Sequence, residues 1–496
     1  MTMTKVAAVI LADRAAEMEK QARAALRRGA DLVELRLDHL DDLTPGAVKA
    51  LAHAFGPKAI ATLRSGEQGG ARVLPDERRE EILAAACRLG FSYVDVELQT
   101  DTARVEELHR TASKHHQDLI VSYHFQKPVD VSDAADALEA CVAAGDVGKA
   151  ALPIADIEAA LSLVEFARNQ ALRSRRYVLI GMGDPGAVTR ALAEDVGQEI
   201  EYAHLGRPSA PGQFALETAL RLRRKTPMVL GLVGRPLGHS ISPQIHDAAF
   251  AALGLPGVYL PFEAERRSLE SLLSAHERLR LRGFNVTIPY KETIAPMLDE
   301  LDGDAEALGA VNTVVLRDGG TKGHNTDTYG FRMALRSKGL RLGGKDALVV
   351  GAGGAAKAVV HVLLREGARV RITNRTPERA DALAEAFDAR VGVVESAEVS
   401  REPACDLLVN ATPVGTKDGP GGLPVPEAVV ARAKFVFDLV YNPRETPLLQ
   451  AARRARIPAT SGLGMLLHQA ARSFELWTGS EAPFPAMERA AEEALA

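Results

Sequence analysis

Ala347-Leu-Val-Val-Gly-Ala-Gly-Gly-Ala-Ala356 is a short apolar run closed by a glycine turn, and an amphipathic stretch to about Glu366 follows it. The run reads as a buried parallel strand, the turn as G-x-G-x-x-A (Gly351, Gly353, Ala356), and the stretch as a helix. Glycines there let the backbone approach a pyrophosphate, which the N-terminus of the helix then stabilises. Gly351, Ala352, Gly353, Gly354 and Ala355 are thus candidate cofactor-binding residues. The next strand, Arg369–Thr373, ends in Asn374-Arg375-Thr376, with Arg379 nearby. An acidic residue at that strand end would take a ribose 2′-hydroxyl, whereas Arg375 suits a 2′-phosphate, so NADP is expected rather than NAD.

Just upstream lie the elements of a reaction. Lys291 follows Gly283-Phe-Asn-Val-Thr-Ile-Pro-Tyr290, a strand leading into a Pro-containing turn. Gly323-His-Asn-Thr-Asp-Thr-Tyr-Gly330 puts Asp327 just ahead of a helix expected over Tyr329–Lys338, a place where capping alone explains an aspartate. Paired with Lys291, the same carboxylate could hold an ammonium that protonates a developing alkoxide, which ketone reduction requires.

The first 220 or so residues read differently. Short β-like runs (Val6–Leu11, Leu32–Leu37, Ala59–Leu63, Tyr93–Leu98, Leu119–Tyr123, Val147–Leu152, Tyr177–Gly181 and Glu201–His204) alternate with helical ones such as Arg14–Arg28, Glu77–Leu89 and Asp133–Ala144. Eight such units fit a (β/α)8 barrel. Glu34, Arg36, Arg64, Glu97, His124 and Lys149 then gather at the carboxyl ends of the strands, the face on which barrel active sites sit. Lys149 interrupts the small and apolar stretch Asp146-Val-Gly-Lys-Ala-Ala-Leu152. A buried lysine loses its charge more easily and can act as a nucleophile.

Composition narrows the class. A chain of 496 residues exceeds one ordinary core. A formal charge of −5 with no basic block gives no nucleic-acid footprint. No apolar run is long enough to span a bilayer, and no leader pattern precedes the first strand, so a cytoplasmic protein without membrane partners is expected. Three scattered cysteines, Cys87, Cys141 and Cys405, have no metal spacing; no metal is expected, and a reducing compartment is favoured. Oligomeric state is left open.

From about Met228 onward the chain resembles shikimate dehydrogenase. The resemblance lies in Gly234-Arg-Pro-Leu-Gly-His-Ser-Ile-Ser-Pro243, Asn285-Val-Thr-Ile-Pro-Tyr-Lys291, Gly309-Ala-Val-Asn-Thr313, Asn325-Thr-Asp327, the glycine turn, Asn410-Ala-Thr-Pro413, Asp438-Leu-Val-Tyr-Asn-Pro443 and Gly462-Leu-Gly-Met-Leu-Leu-His-Gln469. It implies that Lys291 and Asp327 are the catalytic pair. By the same resemblance, Ser240, Ser242, Thr287, Asn312, Tyr441 and Gln469 would hold the substrate. Thr376, Thr412, Gly462 and Met465 would join the glycine turn, Asn374 and Arg375 around NADP.

The first half resembles type I 3-dehydroquinate dehydratase. The matching pieces include Glu34-Leu-Arg-Leu-Asp38, Thr62-Leu-Arg-Ser65, Asp95-Val-Glu-Leu98, Ser122-Tyr-His124, Asp146-Val-Gly-Lys149, Gly181-Met-Gly183 and Ser209-Ala-Pro-Gly-Gln213. The resemblance implies a Schiff base at Lys149, proton transfer by His124 and carboxylate binding by Arg190. Glu34, Arg36, Arg64, Met182, Ser209 and Gln213 would line the pocket. The chemistry agrees: expelling a hydroxyl β to a ketone needs an α-proton removed, and an iminium is the electron sink that lets imidazole remove it. Where the family commonly has a glutamate, four residues after the arginine of Thr-x-Arg, this chain has Gln68, so a changed pH profile is expected. His124 is also followed directly by Phe125.

The expected architecture is α/β: a barrel over residues 1–224, a substrate lobe over 228–330 completed by helices at about 460–496, and a Rossmann-like NADP lobe over 331–459. The expected function is bifunctional, with dehydration of 3-dehydroquinate to 3-dehydroshikimate followed by NADPH-dependent reduction to shikimate. The expected partners are these small molecules. Three alternatives stand beside it. A class I aldolase would not need the Ser209–Gln213 clamp, and a quinate dehydrogenase would differ in substrate hydroxyls and cofactor. A ligand-sensing regulator would not need intact Lys149, His124, Lys291 and Asp327.

Overall fold

A computed structural model describes residues 3–168, 175–317, 319–387 and 390–496. Eight strands form the first sheet: β1 (Lys5–Ile10), β2 (Leu32–Arg36), β3 (Ala59–Thr62), β4 (Tyr93–Glu97), β5 (Asp118–His124), β6 (Val147–Pro153), β7 (Tyr177–Met182) and β8 (Ile200–His204). They are parallel, in the ring order β7-β6-β5-β4-β3-β2-β1-β8. The seam between β8 and β7 is bridged by the main-chain N–H of Glu199 to Tyr177 (2.8 Å) and by the buried amide of Gln198 to the N–H of Leu179 (3.0 Å). Every expected strand is present, with ends shifted by no more than two residues.

Strand chemistry explains the barrel. Ala7, Val9, Ile60, Ile120, Val147, Val178 and Ile200 fill the interior, while the alternate residues Val6, Ala8, Val33, Leu35, Val94 and Val121 pack outward against helices. A strand buried on both faces needs near-continuous apolar sequence, and the period of two then assigns each residue its side.

The second sheet comprises β9 (Met228–Gly234), β10 (Gly257–Glu263), β11 (Leu281–Val286), β12 (Glu300–Leu301), β13 (Thr313–Arg317) and β14 (Gly320–His324), in the order β10-β9-β11-β13-β14-β12. It is mixed: β11–β13 and β13–β14 are antiparallel, and β12–β14 is parallel. The third sheet holds β15 (Asp346–Val350), β16 (Arg369–Asn374), β17 (Val391–Glu395), β18 (Leu407–Asn410), β19 (Val436–Asp438) and β20 (Ala459–Ser461). Its parallel order, β17-β16-β15-β18-β19-β20, is the doubly wound dinucleotide-binding arrangement.

Two compact units result, one of Met1–Leu232 with Gly254–Arg282 and the other of Val233–Leu253 with Gly283–Ala496. Within the first, the helix Ser268–Ser274 docks on the helix Ile157–Arg168, where the hydroxyls of Ser268 and Ser271 both donate to Glu158. Within the second, Gly330 lets the helix Thr326–Ser337 approach the helix Leu463–Thr478 closely. A Cβ at Gly330 would lie 2.5 Å from the carbonyl oxygen of Met465 and 2.9 Å from the Cβ of Gln469.

The helix expected over Tyr329–Lys338 starts earlier, at Thr326, so Asp327 lies in its first turn rather than ahead of it. The cause is tertiary: the side-chain oxygen of Asn312 accepts the N–H of Thr326 at 2.7 Å, satisfying the helix end from another element.

Candidate active sites

The barrel strands deliver their polar ends to one cavity of about 450 Å3. All nine residues expected for the first site, from Glu34 to Gln213, line it. Lys149, 3 % exposed, projects from β6 and its Nζ lies 3.1 Å from Oδ2 of Asp95 and 3.7 Å from Oε1 of Glu34. The ammonium also sits 4.0 Å from the ring centroid of Tyr202 on β8. Desolvation is thus not the whole description of Lys149: two carboxylates and an aromatic face surround its head group. To attack a carbonyl, the amine must first hand on a proton.

Asp95 is shared. Its Oδ1 accepts from Arg64 (2.9 Å) and from the hydroxyl of Ser122 (2.6 Å), while Oδ2 takes Lys149. Burial opposes its charge, but Arg64 and Lys149 outweigh that and hold the carboxyl well below the usual range. Asp95, Ser122 and Tyr202 were not among the candidates drawn from sequence. Glu97 was one, and it serves elsewhere: it accepts the N–H of Ser65 at 2.7 Å and Nη2 of Arg79 at 2.8 Å, fixing the loop after β3.

His124 ends β5. Burial first, then the cations Arg64 and Lys149, push its imidazole well below the ordinary value, so the ring is neutral. Its Nδ1 is buried with no hydrogen-bond partner among the described residues. Gln68, 5 % exposed, accepts the main-chain N–H of His124 through Oε1 and so holds the residue by its backbone. At the rim, Arg36 is clamped by Asp38 through two bonds of 2.8 and 2.9 Å. Arg190 donates to Glu201 (3.3 Å) and to the carbonyl of Tyr202 (3.4 Å). Gln213 folds its loop by accepting from the N–H and hydroxyl of Ser209 while donating to that same Tyr202 carbonyl.

In the second unit Lys291 Nζ lies 2.6 Å from Oδ2 of Asp327, and Nδ2 of Asn312 donates to Oδ1 of Asp327 at 2.9 Å. The amide of Asn312 also reaches Thr326 (3.0 Å) and Gln469 (3.4 Å). Behind it stands a buried hydroxyl network that sequence reasoning missed. Nδ2 of Asn285 donates to Thr313 and Ser473, and Thr313, Thr326 and Ser473 bond one another at 2.8 to 3.1 Å. Ser240 accepts the N–H of Ser242 at 3.3 Å, and the methyl of Thr287 packs against Gly234. Burial raises the Tyr441 phenol above its ordinary value.

The glycine turn fits a dinucleotide. Gly351 has φ +114, and a Cβ there would lie 3.0 Å from the carbonyl of Ala411. Gly353 and Gly354 face open space before the helix Gly354–Arg365, leaving its N–H groups accessible to a phosphate. At the end of β16, Asn374 ties back to the carbonyl of Thr376 at 2.8 Å and Arg375 is exposed. Asn410 ends β18 and accepts from both the N–H and the hydroxyl of Thr412. Gly462 precedes the long C-terminal helix, which carries Met465 and Gln469.

Family models match the chain in four stretches. Residues 6–225 match type I 3-dehydroquinase, and residues 232–314 match the shikimate dehydrogenase substrate binding domain. Residues 332–416 match shikimate / quinate 5-dehydrogenase, and residues 462–492 match the shikimate 5′-dehydrogenase C-terminal domain. The chloroplastic bifunctional 3-dehydroquinate dehydratase/shikimate dehydrogenase of Arabidopsis thaliana is 32% identical across 96% of this chain and 82% of its own. The chain belongs to the bifunctional 3-dehydroquinate dehydratase/shikimate dehydrogenase family. Its second half is also 43% identical to the NADP(+) shikimate dehydrogenase of Caldanaerobacter subterraneus, over 51% of this chain and 92% of the relative. A shikimate dehydrogenase crystallised with NADP+ superposes with a TM-score of 0.52 at 37% identity, covering 54% of this chain and 96% of its own. Among the described residues, no helix is long and apolar enough to cross a membrane.

Proposed function

We propose that the barrel dehydrates 3-dehydroquinate through an imine at Lys149, and that the second half reduces the resulting 3-dehydroshikimate to shikimate with NADPH. The observation that carries this reading is the placing of Lys149, ion-paired to Asp95 behind it, in one cavity with the neutral His124, in a chain that also pairs Lys291 with Asp327.

In the first site the ammonium of Lys149 gives up a proton and the amine adds to the ring ketone; loss of water leaves a protonated imine. His124, held neutral, takes the α-proton at Nε2 or Nδ1 and returns one to the departing hydroxyl; a water then hydrolyses the product imine, which frees 3-dehydroshikimate and restores the amine of Lys149. Arg190, Ser209 and Gln213 hold the substrate carboxylate, and Arg36 and Arg64 line the pocket beside the ring.

In the second site NADPH, when bound, supplies the hydride. The glycine turn, Asn374, Arg375 and Thr412 hold it, with Arg375 on the 2′-phosphate. Lys291 holds a proton at Nζ for the forming alkoxide, and Asp327 keeps that ammonium in place. Asn312 and Gln469 present amides suited to ring hydroxyls, which discriminates against a substrate lacking them. Three buried free thiols support residence in a reducing compartment, the cytoplasm.

The test is a coupled assay with 3-dehydroquinate and NADPH as the only additions, in which shikimate should form. Borohydride added with 3-dehydroquinate should leave a covalent adduct on Lys149; an adduct elsewhere, or none, overturns the imine. Lys291→Ala should stop reduction and leave dehydration, and loss of both in a folded variant would contradict two separate sites. Parallel assays with quinate and NAD decide the dehydrogenase's preference.

A further inference from the structure

The first cavity has an electrostatic difficulty. Its substrate is an anion, yet each cation facing it already has a resident carboxylate: Asp38 on Arg36, Asp95 on Arg64 and Lys149, Glu201 on Arg190. A second carboxylate brought to Arg190 would place two anions on one buried guanidinium, and like charges in a desolvated site repel strongly.

Glu201 is built differently from the other two. Asp38 and Asp95 accept several bonds each, and both are held below the usual carboxylate range against burial. Glu201 is 4 % exposed, and among the described residues its carboxylate takes a single bond, from Nη1 of Arg190 to Oε1, while its Oε2 is buried with no partner. Nε of Arg190 is likewise buried and unpartnered among them. Arg190, on the helix Ala187–Ala191, is the charged group that bears on Glu201, and strand β1 sets the apolar Val6 in register beside it. Burial, countered by Arg190, lifts the Glu201 carboxyl to about 7. Arg190 lines the cavity, whereas Glu201 does not and stands behind it.

We propose that Glu201 is a proton-coupled counter-ion. It balances Arg190 while the site is empty, and takes up one proton from solvent as the substrate's carboxylate arrives on the guanidinium. The proposal rests on the reading of Arg190 as the carboxylate-binding residue. Glu201 is then a positioning residue: it holds Arg190 in both states, as an ion pair without substrate and as a hydrogen-bonded acid with it. No bond to carbon is made or broken, and the proton returns to solvent when the product leaves.

The consequence is a pH-dependent KM for dehydration. Where Glu201 is already protonated, KM is flat; where it is ionised, each pH unit costs one decade of affinity. The experiment measures KM for 3-dehydroquinate from pH 5.5 to 9 without NADPH, so that dehydration alone runs. The wild type should show a KM that is flat below about pH 6.5 and climbs about tenfold per unit above about pH 7.5. In E201Q the climb should vanish. A flat wild-type KM, or a climb that persists in E201Q, overturns the proposal, and the wild-type profile decides even if the variant does not fold. Arg190→Ala separates the two readings: it should raise KM at every pH, and failure to do so discards Arg190 as the carboxylate-binding residue, not merely Glu201 as its counter-ion.

Discussion

Oε1 of Gln68 accepts the main-chain N–H of His124 at 2.7 Å, so the residue proposed to move protons is gripped by its backbone rather than by its ring. No carboxylate from that position sets the imidazole's charge. Burial and the cations Arg64 and Lys149 set it instead, and both favour the neutral ring.

Gln68→Glu keeps the acceptor and adds a negative charge beside the ring. An opposite charge raises a histidine pKa by about one unit or more. The acid limb of kcat/KM for dehydration should lie below the ordinary histidine value in the wild type and move upward in Q68E. Paired pH profiles check this; superimposable limbs would show that the introduced carboxylate does not reach the imidazole.

Asp95→Asn strips the shared counter-ion from Arg64 and Lys149 together. Breaking a buried ion pair from one side destabilises by about 3 kcal/mol or more. Dehydration should fall on the order of 100-fold, while reduction of 3-dehydroshikimate persists. Denaturant unfolding and the two separate assays measure these effects.

At the amino-terminal end of the barrel, Glu199 binds Arg176 (2.9 Å), Lys5 (3.1 Å) and the hydroxyl of Tyr93 (3.0 Å). Burial would raise its carboxyl, but the bonds from Arg176 and Lys5 carry it down to about 2. A folded pKa below the unfolded one gives stability that is present above about pH 4.5 and is lost as the pH falls toward about 2. The stability gap between wild type and Glu199→Gln should therefore be widest at neutral pH and close near that lower limit, as read by thermal melts across the range.

Arg375→Asp exchanges the cation at the end of β16 for the acceptor that a ribose hydroxyl prefers. Loss of a charge-assisted contact to the 2′-phosphate, worth about 1.5–3 kcal/mol, corresponds to a rise in KM for NADPH of about 10- to 150-fold. NADH should be affected far less. Steady-state kinetics with both cofactors decide it.

The strands were legible because runs such as Val147–Leu152 are apolar, short and bounded by turns, and the third sheet because its glycine turn sits between a strand and a helix. What stayed hidden depended on contacts between distant residues. Asp95 lies two residues before the end of β4, where Glu97 is the carboxylate that strand ends make legible; the tilt that carries Asp95 to Lys149 is a property of the closed barrel. Asp327 fell inside a helix because Asn312, fifteen residues earlier, satisfies that helix's first turn. The hydroxyls of Thr313, Thr326 and Ser473 read singly as turn or helix residues, and only their convergence around Asn285 makes a network.

Asp95 has one more consequence. An ammonium and a protonated imine carry the same formal charge at nearly the same atom. If Lys149 passes from one to the other, Asp95 faces a cation before and after the covalent bond forms, and its bonds to Arg64 and Ser122 need not be rearranged. The electrostatic surroundings of the nitrogen are thus the same at both ends of that change. In the proton transfers that follow imine formation, the charge that moves is confined to the ring and to His124, and the barrel around them can stay rigid.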